Sequence, residues 1–134
     1  MPSIIDIEGI GEVYATKLKA AGIATTEALL EKGATTKGRT ELEEATGISH
    51  KLMLKWVNMS DLFRIKGIGS EYSELLEVSG VDTVPELSHR NAENLLAKMT
   101  EVNAEKNLVR TLPTLHHVES WIAQAKELPR AVNY

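Results

Sequence analysis

Cysteine is missing from the 134 residues, which removes disulfides, thiolate zinc sites and thiol catalysis together. That usage suits a reducing compartment, and the expected location is the cytoplasm. Long apolar runs are missing too. None approaches the roughly 18 residues a membrane span requires, so no membrane association is expected. The opening Met1-Pro2-Ser3-Ile4-Ile5-Asp6 lacks a basic start followed by an apolar stretch and does not read as a secretion signal. No segment has the β-branched alternation of a strand, which makes an all-α chain the expectation. Positive charge is in short supply, the formal net charge being −4. A protein that grips nucleic acid chiefly by counterion release carries a basic face, and the total gives no hint of one.

What is present has the proportions of a globular protein, 43% apolar and 25% charged, in a length that fits one ordinary domain or two small ones. The sequence also repeats. Ile7-Glu8-Gly9-Ile10-Gly11 recurs 58 positions later as Ile65-Lys66-Gly67-Ile68-Gly69. At the same shift Tyr14 matches Tyr72, Leu18 Leu76, Gly22 Gly80, Thr25 Thr83 and Leu29 Leu87. A match of this length, glycines and apolar residues in register without a gap, marks a supersecondary unit of several elements.

Local chemistry divides each copy into helices. Val13, Tyr14, Leu18 and Ala21 fall near helical spacing after Gly11, and Gly22 is placed to end the helix in a left-handed C′ conformation. Thr25 is a natural N-cap for the next short helix, to Leu30. Gly80 and Val81 repeat the stop, and Thr83-Val84-Pro85-Glu86 has the order of a capping box. In the second half of the first copy, Thr40 to Ala45 leads through Gly47-Ile48-Ser49 to a helix from His50 to Val57. The later copy would run from Ala92 to Met99, turn at Glu101-Val102-Asn103, and form a helix from Ala104 to Leu112. A final helix starting at Thr114 would turn Leu115, Val118, Trp121, Ile122 and Ala125 inward, with Pro129 beyond its end. The expected domains are 1–60, 61–112, and a C-terminal helix and tail, 113–134, docked on the two units.

Gly-apolar-Gly between short helices, with a small residue four positions after the second glycine (Ala15, Ser73), resembles the helix-hairpin-helix motif. The resemblance implies that the glycines let the hairpin backbone approach a DNA phosphate, whose oxygens take the amide N–H groups at the start of the following helix. It implies that Ile10 and Ile68 plug each hairpin into its own core. The order of hairpins resembles the double helix-hairpin-helix domain, with 26–32 and 84–89 as connector helices. From Ile7 to about Pro129 the chain also resembles a bacterial family catalogued as a domain of unknown function, with tandem glycine hairpins and an ending like Trp121 to Pro129. That second resemblance implies no activity.

Two readings of the hairpins stay open. In one, Gly9, Ile10, Gly11, Gly67, Ile68 and Gly69 bind nucleic acid through the backbone, with Lys17 and Lys66 as the nearest cations; binding to duplex DNA would be weak, sequence-independent and steeply lost with added salt. In the other, the glycines only let helices pack, and the protein is a helical scaffold that docks another protein. Charge favours the second: 1–60 holds seven Lys/Arg against eight Asp/Glu, and 61–112 six against nine. No enzyme is expected, because Ser, Thr and His occur without an elbow or triad order. Neither cofactor nor metal is expected: His116 and His117 lie about 100° apart on a helix, and His50 and His89 have no partner at ligand spacing. Tyr14, Tyr72, Trp56 and Trp121 read as core residues. Lys32 to Arg39 reads as a short basic linker, and Glu41, Glu43 and Glu44 as an exposed helix face.

Overall fold

Helix stops set the architecture. In the computed structural model, which describes residues 2–133, α1 (Glu12–Ala20) and α5 (Ser70–Val78) end in the same way. Gly22 has φ 87° and Gly80 φ 97°. The Ile23 amide donates to the Leu18 carbonyl and the Gly22 amide to that of Lys19, while Val81 donates to Leu76 and Gly80 to Glu77. These paired bonds form a Schellman motif, which satisfies carbonyls that a helix end leaves without partners. Beside each stop sits a cation. Lys32 Nζ approaches Gly22, and Arg90 Nη2, which donates to the Gly80 carbonyl at 2.9 Å, approaches Gly80. Lys32 and Arg90 are themselves 58 positions apart.

The remaining helices are α2 (Thr26–Lys32), α3 (Thr36–Thr46), α4 (His50–Leu62), α6 (Val84–Ser88), α7 (Ala92–Lys106) and α8 (Leu115–Glu127). A 3₁₀ turn, Ile4–Asp6, precedes them. Among the described residues no strand occurs, only an isolated bridge between Ser3 and Thr25. The protein is all-α. Thr25, Thr35, Asn91 and Thr114 cap their helices through side-chain oxygens, each replacing an acceptor that the first turn lacks.

The chain divides into two compact units, Met1–Asp61 with Arg130–Tyr134, and Leu62–Pro129. In the first, Ile4, Ile7, Leu18, Ile23, Leu29, Met53, Trp56 and Val57 are buried. In the second, Ile65, Leu75, Leu76, Val81, Val84, Leu87 and Met99 surround Trp121. Each such side chain contributes roughly 1.5–3 kcal/mol on burial. α8 packs on α6 and α7 and seats Val118, Trp121, Ile122 and Ala125 in the second core; Leu115, expected inward, is 36% exposed.

Several expectations are corrected. The turn expected at Glu101-Val102-Asn103 and the helix from Ala104 to Leu112 do not exist: α7 runs unbroken to Lys106. No residue there breaks a helix, and the stop comes at Asn107, in the left-handed region at φ 52°. Asn103 instead binds the returning loop, its Oδ1 accepting from the Val109 amide at 2.9 Å and its Nδ2 donating to the Val109 carbonyl. The basic linker is not one either. Arg39 lies in α3, 2% exposed, and donates to the carbonyls of Gly33 and Asn133. Thr83 makes no side-chain cap, and Glu86, the other half of the expected capping box, pairs with Arg90 at 3.1 Å.

Candidate nucleic-acid interface

Both glycine hairpins are built alike. Gly9 has φ 98° and Gly67 φ 103°, the left-handed region that only glycine enters freely. The Ile10 amide donates to the Ile7 carbonyl and the Ile68 amide to that of Ile65, each at 3.1 Å, which closes the loop. Ile10 and Ile68 are 4% and 5% exposed. Their side chains plug the hairpins inward, and their amides are bonded within the hairpin. The flanking glycines Gly9, Gly11, Gly67 and Gly69 face solvent.

Gly11 and Gly69 are the N-caps of α1 and α5, and neither helix has a side-chain cap. A Cβ on either would meet nothing within 4 Å. Internal packing therefore does not demand glycine at these two places. A serine or aspartate would serve the helix better, and glycine leaves the first-turn amides bare. Over the second hairpin lies a depression of about 300 Å³ lined by Gly67, Gly69, Ser70, Glu71 and Tyr72. It adjoins another of about 340 Å³ that shares Glu71 and Tyr72 and adds Arg110 and Thr111.

The cations differ in setting. Lys66 is exposed, and its backbone is clamped by Gln124, whose Oε1 accepts from the Lys66 amide at 2.9 Å while its Nε2 donates to the carbonyl. Lys17 Nζ stands 5.8 Å from the centre of the Tyr14 ring. Arg110 was not legible as a site residue. Its amide and guanidinium both donate to Glu71, and the amide bond above all, then the side-chain bond, holds the Glu71 carboxyl below its ordinary value. A carboxylate in the first turn of α5 is thereby matched by a cation. At the first hairpin Glu12 and the 68%-exposed Val13 occupy the corresponding turn.

Beneath each hairpin is a tryptophan. A Cβ on Gly9 would lie 3.4 Å from Trp56 Nε1, and one on Gly67 3.0 Å from Trp121 Nε1. Tyr14 packs on Trp56 with ring centres 5.0 Å apart, and Tyr72 on Trp121 at 5.2 Å; the Tyr72 hydroxyl donates to the Thr111 carbonyl. His117 serves as a cap, its Nδ1 accepting from the Thr114 amide. Among the described residues no three His, Cys, Asp or Glu side chains are grouped to hold a metal, and no helix is long and apolar enough to cross a membrane.

The fold thus defines an all-α protein whose two units each carry an uncapped glycine hairpin seated on a tryptophan. Residues 8–128 match the family described as Domain of unknown function (DUF4332), and the chain belongs to that family. No curated protein and no solved structure matches it.

Proposed function

We propose that the protein is a non-enzymatic, cytoplasmic helix-hairpin-helix protein, one such unit in each half, that binds the phosphate backbone of duplex DNA without reading sequence. The observation that carries this reading is the pair of glycine N-caps with open space above them. Bare amides at a helix start form an anion site, reinforced by the helix dipole. Such contacts position a protein on the backbone and carry no base information. The donors are the amides of Gly11 and Gly69 and of the first turns they open, with Lys17 and Lys66 as side-chain cations. The competing reading, a scaffold for a protein partner, draws support from exposed Val13 beside the first hairpin.

Anisotropy of labelled duplexes at low salt tests the proposal. The expected result is micromolar binding, equal for unrelated sequences and weakened uniformly by Lys66→Glu. Gly69→Ser should raise the melting temperature slightly, by supplying a cap, and yet weaken binding, because the new hydroxyl covers the amides. Absence of binding at low salt overturns the proposal and leaves protein docking; binding indifferent to both substitutions rejects the hairpin as its seat.

A further inference from the structure

The chain's two tryptophans are 1% and 3% exposed. A buried indole N–H ordinarily finds an acceptor. Neither does so here: no hydrogen bond among the described residues uses Nε1 of Trp56 or Trp121. Neither nitrogen is sealed from solvent, so the narrow exposed edge of each ring carries its N–H. That edge lies against Gly9 in one unit and Gly67 in the other. A side chain at either glycine would cover the nitrogen; glycine leaves it open.

We propose that each indole N–H is a side-chain ligand for a phosphate group, donating alongside the bare amides of the adjoining hairpin. The proposal rests on the hairpin reading above and adds a specific donor to it. A bond from N–H to an anionic oxygen is stronger than one between neutral groups. The rings are already fixed by Tyr14 and Tyr72, so binding freezes no rotamer. The arrangement also recurs where the sequence repeat does not lead. The hairpins are 58 positions apart and the tryptophans 65, yet each nitrogen reaches the same glycine of its own hairpin.

With only two indoles in the chain, ¹H–¹⁵N spectra of the full-length protein read both sites directly. The probes are inorganic phosphate and a short blunt duplex, each titrated at constant ionic strength against chloride. Both indole signals should move saturably, together with the amides of Gly11 and Gly69. Movement with both probes marks any accessible phosphate as ligand, and movement with the duplex alone marks nucleic acid; either supports the proposal. Amides that move while the indoles stay fixed overturn it and leave the hairpin reading intact. Signals that stay fixed throughout overturn both. Trp121→Phe keeps the ring and removes the donor, and should lower affinity at the second hairpin about tenfold, the effect of one hydrogen bond to a charged acceptor. Unchanged affinity in a folded variant overturns the proposal; should the variant not fold, the wild-type titration decides.

Discussion

Single glycines in this chain differ by what a side chain would meet. A Cβ on Gly38 would overlap the Lys32 carbonyl oxygen, so Gly38→Ala should cost roughly 2–3 kcal/mol through forced backbone movement. Gly22→Ala and Gly80→Ala should each cost about 1 kcal/mol, since both sit at positive φ with only the ends of flexible cations nearby. Gly11 and Gly69 meet nothing, so their substitutions should act on binding more than on folding. Denaturant melts of the five variants check this order; a Gly38→Ala variant as stable as wild type would contradict it. Glu71 makes a second case. Its folded pKa is depressed by Arg110, so the pair contributes stability above the ordinary glutamate range and loses it as pH falls through the lowered value. Acid should therefore release Arg110 from α5, read as faster exchange of its amide. At neutral pH Glu71→Gln should strengthen duplex binding, because a carboxylate leaves the hairpin and a guanidinium is freed.

At the scale of helices, the sequence was legible wherever a boundary has its own local chemistry. Gly22 and Gly80 stopped helices as read, Thr25 and Thr114 started them, and Ile10 and Ile68 point inward. The second half of the later copy was misread because its boundary is tertiary. Nothing between Glu101 and Asn103 announces whether a helix continues, and Asn103, expected in a turn, has a side chain equally suited to holding a distant loop. α7 has 15 residues where α3 has 11, and the connection that follows it, 107–114, is longer than 47–49 after α3; together these push Trp121 out of the 58-residue register and hid its equivalence to Trp56. The site was half legible for the same reason: the glycines and Lys66 lie on the motif, whereas Trp56, Trp121, Arg110 and Gln124 reach it only through folding. Asn103→Ala tests the tertiary role. Loss of two part-buried hydrogen bonds should cost about 1–2 kcal/mol, and the Val109 amide should lose exchange protection while the middle of α7 keeps its own. Equal loss along the whole helix would mean that Asn103 supports α7 itself and not the loop.

For the molecule as a whole, net charge decides what kind of nucleic-acid binder it can be. With −4 overall, long-range attraction to DNA is weak and carboxylates near the hairpins oppose phosphate within a Debye length of ~8 Å. On the proposed reading, binding then comes from short-range donors, the amides and indoles, which are neutral and release no counterions. Salt dependence follows the number of phosphates matched by cations, and beside the hairpins these are Lys17, Lys66 and Arg110. For two or three such contacts, the slope of about −0.9 per phosphate gives a roughly ten- to fortyfold loss of affinity between about 50 and 200 mM salt. A protein held by many lysines would lose on the order of a thousandfold or more over the same interval. Duplex titrations across that range should therefore give a shallow line, not the steep loss that the sequence alone suggests, flattened further by Lys66→Glu and steepened by Glu71→Gln as Arg110 becomes available. A steep wild-type line would place the binding surface on lysines elsewhere in the molecule, and the glycine hairpins would then be only the turns on which its helices pack.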